Sequence, residues 1–469
     1  MSNLNEHKIV IDESFRDSIA TIDKQGKRNN IFPKKPNGAF YNKRTIASII
    51  YLIVFLSLPW IKINGEPFIL LNILKRKFIL FGQIFGPQDF FIFALGMITF
   101  VVFIILFTVI FGRVFCGWAC PQTIFMEMVF RKIEYWIEGD YTKQQQLKKM
   151  PWNGYKFRKR ISKIIIFYFI SFIIANYFLA YLISMDEVLK YIKEGIIAHI
   201  GTFLILLLFT SIFFFVYYWF REQVCIVVCP YGRLQGVLLD KNSIVVAYDY
   251  FRGEPRGKFS KNDNKQGDCI DCKACVRVCP TGIDIRNGTQ LECINCTACI
   301  DACDEIMENI NKPKKLIRFA SENNIIKKEA LRITGRIKSY SAVLLIIVGS
   351  LAFLLATREI IDITILRTQG MIYQQLPDGY IGNLYTARMF NKTHKDLLVA
   401  FNMPKEQGEI VILGKQPMVN SESYSIITFL VKKKSNSLKT RKTDLLIDFY
   451  IEHKKITSKK TTFIGPINS

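Results

Sequence analysis

The amino-acid sequence predicts an α-helical membrane protein with five spans, a cysteine-rich insert between spans four and five, and a C-terminal β-sandwich. Three observations support this fold class. Hydrophobic residues make up 50% of the 469 residues, and five stretches reach the roughly 20 apolar residues that cross a bilayer. Eight of the 12 cysteines lie between residues 269 and 303. Beyond residue 362 the hydrophobic pattern alternates with the period of β-strands.

The five predicted spans are apolar stretches bounded by polar and basic residues. They lie near residues 44–61, 89–111, 161–184, 200–220 and 340–357. Because a polar, basic segment precedes the first of them, that span is not a cleavable signal peptide. The apolar stretch 67–86 is interrupted by Lys75, Arg76 and Lys77. This interruption predicts a loop or hairpin outside the bilayer, with a re-entrant element as the alternative.

The distribution of lysine and arginine predicts the orientation of the spans. Basic residues are dense before span one and between spans two and three, and sparse at 185–199. The N-terminal segment, the loop 112–160 and the region 221–339 are therefore predicted to be cytoplasmic, and residues after about 360 to lie on the opposite side. The net charge of +24 is then explained by this topology and by contact with anionic lipid, so no nucleic-acid role is expected.

These boundaries divide the chain into five regions. They are a cytoplasmic segment at 1–43, a four-span region at 44–239, the insert at 240–337, the fifth span at 338–361 and the C-terminal domain at 362–469. All 12 cysteines fall on the predicted cytoplasmic side, a reducing compartment that keeps thiols available for metals.

The cysteine-rich insert carries two C-x2-C-x2-C-x3-C runs, the ligand spacing of bacterial 2[4Fe–4S] ferredoxins. In that pattern the fourth cysteine of each run binds the other cluster. Cluster one would use Cys269, Cys272, Cys275 and Cys303, and cluster two would use Cys293, Cys296, Cys299 and Cys279. A zinc site or a disulfide framework is the alternative. Zinc is commonly bound by two C-x2-C pairs, which does not explain why the fourth cysteine of both runs follows the third in a C-x3-C spacing. We therefore expect two [4Fe–4S] clusters and single-electron chemistry.

The remaining four cysteines form two C-x3-C-P motifs at the ends of spans two and four. They are Cys116 and Cys120 before Pro121, and Cys225 and Cys229 before Pro230. In a helix, positions i and i+4 share one face, so each pair is expected to point both sulfurs the same way, with the proline fixing the second cysteine at a helix boundary. Small apolar helix residues are the simpler interpretation of these cysteines. Their duplication beside a ferredoxin unit favours a redox or metal site, with Cu(I) suited to soft thiolates and a further iron–sulfur cluster as the alternative.

Other polar residues are given structural roles by the sequence. The four histidines, His7, His199, His394 and His453, do not supply the facing pairs that a membrane b-type cytochrome needs. Arg113 and Arg233 are expected to anchor at lipid headgroups. Between spans two and three, apolar residues recur with helical spacing from Met126 to Ile137 and predict an amphipathic helix, lying on the membrane surface or packed on the ferredoxin unit.

The C-terminal domain is predicted to be a β-sandwich of immunoglobulin type. Seven strand-like runs are separated by Gly, Pro, Asn and Asp. They lie near 363–367, 384–390, 396–402, 409–413, 425–432, 443–451 and 460–464.

The chain resembles the cytochrome c oxidase accessory proteins of the CcoG/FixG/RdxA type over nearly its full length. The matching segments are Glu13–Asp17, Pro33–Pro36, Phe115–Gln122, Cys225–Arg233, Arg252–Gly257 and the two ferredoxin runs. One departure is Asp304, which replaces the proline usual after the last ferredoxin cysteine. It is expected to loosen the local turn or shift the cluster potential without removing a ligand.

This resemblance implies a multi-pass bacterial inner-membrane protein that reduces Cu(II) to Cu(I) during assembly of a cbb3-type oxidase. Copper is then the substrate, and the four C-x3-C cysteines are the candidate copper-handling or electron-exit thiols. The implied partners are membrane lipid, an unidentified electron donor and oxidase subunits or copper chaperones, and a homodimer is possible. Two other functions stay open: a quinol-linked ferredoxin-type electron-transfer subunit, and a non-enzymatic copper-binding scaffold whose β domain docks oxidase subunits.

Overall fold

The computed structural model describes most of the chain in two compact units. The first unit comprises Met1–Pro59 and Ile98–Ile347, and the second comprises Trp60–Met97 and Val348–Ser469. The described residues are Thr21, Gln25, 27–63, 65–73, 77–86, 89–258, 266–328, 334–368, 370, 372–393, 395–404, 407–414, 417–421, 423–438, 440–452 and 454–466. The predicted Glu13–Asp17 motif and three of the histidines, His7, His394 and His453, lie outside them.

Five helices are long and apolar enough to cross a membrane, which confirms the five predicted spans. They are Ala39–Trp60, Phe90–Phe111, Gly154–Ile183, Ile200–Phe220 and Gly335–Ala356. Span three begins early because Asn153 caps its N-terminus, where the side chain accepts a hydrogen bond from Lys156 N. Span four finishes as a π-helix, Val216–Phe220, and the left-handed backbone of Arg221 (φ 51°) ends it.

Short helices connect the spans within the first unit. Between spans two and three they are Val114–Trp118, Pro121–Thr123, the π-helix Ile124–Phe130, Arg131–Glu138 and Tyr141–Lys149. Met185–Glu194 joins spans three and four, and the π-helix Val224–Val228 and the helix Pro230–Leu238 follow span four.

The predicted amphipathic helix exists, but it is built in two pieces and its packing differs from both predictions. Its apolar side, with Phe125 and Phe130, packs on Phe167 of span three and Tyr217 of span four. The ring centroids of Phe130 and Tyr217 lie 4.8 Å apart in a stacked arrangement. The spans themselves therefore cover the apolar side of this helix.

A buried ion-pair network fixes this helix to the spans. Glu134 is fully buried, and its carboxylate contacts Lys163 at 2.5 Å, Arg221 at 2.5 Å and Arg131 at 3.3 Å. Burial alone would raise the pKa of Glu134, but the three cations outweigh it and hold the pKa well below its usual range. Glu134 is consequently charged at neutral pH.

The ferredoxin insert is framed by a two-stranded antiparallel sheet that the sequence analysis did not predict. Strand Val245–Tyr248 pairs with Ile317–Ala320, and Ile244 N donates to Ile110 O of span two at 2.9 Å. The insert also contains the helices Tyr250–Gly253, Ala274–Val278, Ala298–Asn309 and Glu322–Lys327, and a 3₁₀ turn at Ile285–Asn287.

Asp304 does not loosen the turn that follows the second ferredoxin run. Where Pro280 follows Cys279, the first helix ends at Val278. With Asp304 in the equivalent place, the second helix continues to Asn309, because aspartate keeps the backbone N–H that proline lacks. The Asp304 carboxylate also accepts a hydrogen bond from Lys315 N at 2.7 Å.

The segment before span one ties the insert to the membrane helices. Asp301, on the second ferredoxin helix, accepts hydrogen bonds from the first backbone N–H groups of span one, at Phe40 (3.1 Å) and Tyr41 (2.7 Å). Upstream, Lys34 N donates to Arg277 O at 2.7 Å. A carboxylate at a helix N-terminus is favourable, so the ferredoxin helix acts as the cap of span one.

The second unit contains the β-sandwich. All seven predicted strands are present, with two short additional ones. One sheet has Glu409–Leu413, Tyr424–Lys434, Tyr380–Asn391 and Ile361–Arg367 in that order, with Gln374–Leu376 paired to Tyr380–Asn391. The other has Met418–Val419, Leu397–Asn402, Lys442–Ile451 and Lys454–Ile464. Fully buried aromatic residues such as Tyr385, Phe429 and Phe449 fill the core between them.

The apolar stretch after span one folds as antiparallel β-strands, in line with the predicted hairpin and not with a re-entrant helix. Lys62–Ile63 pairs with Glu66–Pro67. The strands Ile69–Asn72, Lys77–Leu80 and Gln83–Phe85 form a three-stranded antiparallel sheet. Leu70, Ile79 and Ile84 pack against Phe390 of the sandwich. Next to this contact, Asp89 bridges Arg358 and Lys392, each at 2.7 Å.

Candidate iron–sulfur and thiol sites

The first cavity in the insert is lined by four cysteines that come from both ferredoxin runs. They are Cys269, Cys272, Cys275 and Cys303. The remaining lining is largely apolar and includes Met307, Leu316 and Ile317. The fourth cysteine of the second run thus lies with the first three of the first run, the crossed arrangement expected from the spacing.

The second cavity repeats this arrangement with the other half of the cysteines. Cys279, Cys293, Cys296 and Cys299 line it, and Cys275 reaches its edge. Each site comprises about 350 Å³ of space between protein atoms, part of which is open to solvent. Cys275 lies on the border of both cavities, so the two sites are neighbours.

The two cysteine loops share an unusual backbone conformation. Asp271 and Lys273 in the first loop have φ of 52° and 55°, and Asn295 and Thr297 in the second have 52° and 66°. Non-glycine residues rarely adopt this left-handed region. Backbone turned in this way directs N–H groups into a concavity that suits anions, as in many iron–sulfur sites.

The donor set of each cavity fits a [4Fe–4S] cluster. Four thiol sulfurs surround each space, which gives one ligand per iron. Burial raises the pKa of Cys275, Cys293 and Cys303 to about 12. Without a metal these groups are neutral thiols at pH 7, and a bound metal removes the protons.

The C-x3-C pairs do not have the continuous-helix geometry that the sequence predicts. Cys120 and Cys229 have extended backbone (ψ 125° and 110°) and lie outside the helix of their partner cysteine. Both donate a backbone hydrogen bond to the residue five positions earlier, at 2.9 Å and 2.8 Å. Each proline then starts a new helix, where its missing N–H costs nothing. The prediction that each proline places the second cysteine at a helix boundary was correct. The prediction that both cysteines of a pair lie on one face of a continuous helix was wrong.

The sulfur atoms of the two pairs are nevertheless close enough to influence each other. Burial raises the pKa of Cys225, and together with the neighbouring thiols Cys120, Cys116 and Cys229 it brings the value to about 12. Within the described part of the chain, no three Cys, His, Asp or Glu side chains converge as the ligands of one metal ion. The structure thus places the four thiols in one neighbourhood without a preformed single-ion cage.

Cys116 connects this thiol neighbourhood to the second ferredoxin cavity. It is buried and packs with Ile294, Cys296 and Ala298. The next residue, Gly117, leaves no room for a side chain, because a Cβ there would lie 2.4 Å from Ile294 O. The end of span two is therefore in direct contact with the loop that carries Cys293 and Cys296.

Three polar side chains that the sequence analysis did not assign to the site support Cys116. Gln235 Oε1 accepts hydrogen bonds from Arg113 Nε at 2.6 Å and from Cys116 Sγ at 3.3 Å. Arg44 Nε donates to Gly117 O at 2.8 Å. Arg113 is thus a buried site residue and not a headgroup anchor, whereas Arg233 is exposed. The sequence contained one indication that Arg113 belongs to the site, since Arg113 lies one helical turn before Cys116.

His199 makes local contacts at the start of span four, in line with the sequence analysis. Its ring stacks on Tyr191 with centroids 4.0 Å apart, and Nε2 lies 2.5 Å from Glu194 Oε2.

Three family models match parts of this chain. A model described as a 4Fe-4S dicluster domain matches residues 220–322, and one described as a 4Fe-4S binding domain matches residues 93–142. A third, the IG-like fold at the C-terminal of FixG, matches residues 351–466. Together they cover both C-x3-C motifs, most of the insert and nearly all of the β-sandwich.

Two curated relatives from Cereibacter sphaeroides decide the family. Protein RdxB is 35% identical over 78% of this chain and 80% of its own length, and Protein RdxA is 36% identical over 79% and 81%. The chain belongs to the FixG/RdxA family. The nitrogen fixation protein FixG of Rhizobium meliloti is 32% identical over 66% of this chain and 60% of its own length. This FixG-family protein is accordingly a multi-pass membrane protein of iron–sulfur electron transfer.

Proposed function

We propose that this FixG-family protein reduces Cu(II) to Cu(I) for the assembly of a cbb3-type cytochrome c oxidase, and that its C-x3-C thiols hold the copper. The observation that carries the proposal is that Cys116 belongs to one buried cluster with Cys296, and that the adjoining Gly117 lies directly against the loop of Cys296. Four thiols that adjoin an iron–sulfur cavity offer a copper site within reach of the redox centres of the protein. Thiolates favour Cu(I) among the available ions, and a site that prefers the reduced ion makes its reduction more favourable.

The eight ferredoxin cysteines would hold two [4Fe–4S] clusters, which supply single electrons when bound. The side chains around Cys116 influence the protonation state of its thiol. In the metal-free protein the Cys116 thiol donates to Gln235 Oε1. Burial raises the pKa of Cys116, and Arg113 is the strongest influence that opposes this rise. When copper displaces the proton, Arg113 is placed to stabilise the thiolate. One electron converts one Cu(II) to Cu(I), and the thiols act as ligands without being oxidised.

The proposal is tested with the anaerobically purified, iron-loaded full-length protein. A chelator that is specific for Cu(I) reports reduction of added Cu(II) by the dithionite-reduced protein after the excess reductant is removed. The Cys116→Ser and Cys225→Ser variants should retain the iron and sulfide of the wild type and lose most of the rate. Equal rates in wild type and variants would contradict the assigned role of the thiol pairs.

The same assay separates the two other functions. A copper-binding scaffold would bind copper through these thiols, and the reduced wild type would form no Cu(I). A quinol-linked subunit would show cluster reduction by quinol and no copper binding.

A third iron–sulfur cluster at the four C-x3-C cysteines is the second candidate. The 4Fe-4S binding-domain match to residues 93–142 favours it, because that segment contains Cys116 and Cys120 and none of the ferredoxin cysteines. Iron analysis decides between the candidates: two clusters give eight iron atoms per chain, and a third would give twelve. Loss of about four iron atoms in Cys225→Ser would favour the third cluster.

We also propose a bacterial inner-membrane location with the ferredoxin insert in the cytoplasm and the β-sandwich in the periplasm. The placement of basic residues beside the spans supports it. Single cysteines introduced for labelling with a membrane-impermeant reagent test this orientation in whole cells. A cysteine at Ser437 in the sandwich should be labelled from outside, and one at Lys327 in the insert should not.

A further inference from the structure

We propose that Arg44 and Arg113 make cluster two, the one held by Cys279, Cys293, Cys296 and Cys299, the higher-potential cluster of the pair. This inference deepens the proposed function, because cluster two adjoins the C-x3-C thiols. The protein buries different charges around the two cavities, and this difference can be tested without copper.

Arg44 places a buried positive charge beside the second cavity. It is 3% exposed, and its Nε donates to Gly117 O, in the segment that packs on the loop of Cys296. Its Nη2 is buried without a hydrogen-bond partner, and among the described carboxylates none forms an ion pair with it. Burial raises the pKa of Cys296 to about 11, and Arg44 is the strongest influence that opposes this rise.

Arg113 adds a second buried charge on the same side. It is 4% exposed, and its Nε is bonded to the neutral amide of Gln235. Within the described residues it too lacks a carboxylate partner. Arg113 is also the cation that acts on Cys293 of the second cavity. Two guanidinium groups without a carboxylate partner among the described residues thus act on Cys296 and Cys293, and the opposing effect of Glu127 on Cys296 is smaller than that of Arg44.

The first cavity has a different charge environment. Arg286 lines it, but Asp271 and Asp284 bind its guanidinium at 2.5 Å and 2.6 Å. The two carboxylates more than cancel its positive charge. Asp304 adds a negative charge next to Cys303. Lys273 also lines this cavity, so Arg286 and Lys273 are balanced here by three carboxylates, and the guanidinium at cluster one is paired where those at cluster two are not.

This difference predicts the order of the two reduction potentials. Reduction adds an electron to a cluster, so a nearby positive charge stabilises the reduced form and a negative charge destabilises it. Hydrogen bonds and charges outside the ligand shell are established means of tuning cluster potentials. Arg44 and Arg113 are consequently positioning residues, which act on the cluster without ligating it.

The test is an EPR-monitored redox titration of the full-length, iron-loaded protein. In Arg44→Gln, the higher-potential cluster should become harder to reduce. At a fixed potential, its ratio of reduced to oxidised form should fall on the order of tenfold, which corresponds to a decrease in reduction potential of about 59 mV. The lower-potential cluster should be unchanged. Arg44→Lys, which keeps the charge, should restore most of the wild-type potential, and a purely structural role of the guanidinium predicts no such rescue.

Arg286→Gln is the matched control at the other cavity. It should lower the potential of the lower-potential cluster and leave the higher one in place. An Arg44→Gln variant that shifts the lower-potential cluster, or neither cluster, would overturn the inference. Because the titration contains no copper, a failed copper assay beside a successful titration would reject the proposed function and leave this inference standing.

Discussion

At the residue scale, the thiols near the membrane are kept protonated by their surroundings. Burial raises the pKa of Cys116 and raises that of Cys225 to about 12. A metal that binds them must displace a proton from each thiol. At the proposed copper site, metal affinity and proton release are therefore expected to be coupled.

This coupling predicts how Cu(I) binding depends on pH. Between pH 6 and pH 8 both thiols are protonated in the free protein, so the apparent affinity should increase about tenfold per pH unit for each proton displaced. A competition titration against a Cu(I) chelator of known pH dependence measures the slope. An affinity that is independent of pH in this range would mean that Cys116 and Cys225 do not bind the ion as thiolates.

Gly117 offers a second test at this scale, because its Cβ position is occupied by Ile294 O. Gly117→Ala should push the end of span two away from the ferredoxin loop and destabilise the first unit by roughly 1–3 kcal/mol, the usual cost of overpacking. Thermal unfolding followed by loss of the iron–sulfur absorbance measures the effect. Gly154→Ala is the matched control, since nothing lies within 4 Å of a Cβ there; an equal loss in both variants would refute the packing argument.

Single residues also mark the limit of sequence reasoning. The cysteines were identified because their spacing repeats, and the structure groups them in the predicted sets. Gln235 and Arg44 carry no such pattern. They reach Cys116 and Gly117 from 119 and 73 positions away in the chain, and a contact of that range leaves no local signal.

At the scale of elements, ion pairs as well as hydrophobic contacts fix the helix Arg131–Glu138. The sequence predicted an amphipathic helix on a membrane surface or on the ferredoxin unit. The polar side of this helix is instead buried, because Lys163 of span three and Arg221 after span four neutralise Glu134. Pairing of charges across separate elements is not visible in the hydrophobic periodicity of one segment.

Removal of the Glu134 charge should destabilise this arrangement strongly. Glu134→Gln leaves Lys163, Arg131 and Arg221 without their shared carboxylate, at a cost of about 3–5 kcal/mol. Thermal unfolding of the detergent-solubilised protein measures it. Glu308→Gln is the control, because Glu308 forms an exposed pair with Lys314 and pairs of this kind contribute little to stability. A Glu134→Gln variant as stable as this control would contradict the account of the network.

The network also has a predicted pH dependence. Because the folded-state pKa of Glu134 is lowered, its contribution is complete above the unfolded-state pKa of about 4.3 and declines as the pH falls below that value. The difference in melting temperature between wild type and Glu134→Gln should accordingly be constant from pH 6 to pH 8 and shrink in acid. A difference in melting temperature that increases in acid would contradict a lowered pKa of Glu134 in the folded state.

At the scale of the whole molecule, the repeating patterns were predictable and the connections between them were not. The five spans and seven strands follow from hydropathy and alternation, and all are present. The strands Val245–Tyr248 and Ile317–Ala320 were missed because each has four residues and its partner lies some 70 positions away. The cap that Asp301 provides to span one was equally hidden, since it joins a ferredoxin helix to a membrane helix.

We propose above all that Cu(II) held by the C-x3-C thiols accepts electrons directly from the iron–sulfur centres. The most direct measurement is stopped-flow absorbance of the fully reduced protein mixed with one equivalent of Cu(II). The account predicts that about one cluster electron is lost per Cu(I) formed, and that Cys116→Ser with full iron content slows this step at least tenfold. Oxidation of the clusters at the same rate in wild type and Cys116→Ser would contradict it.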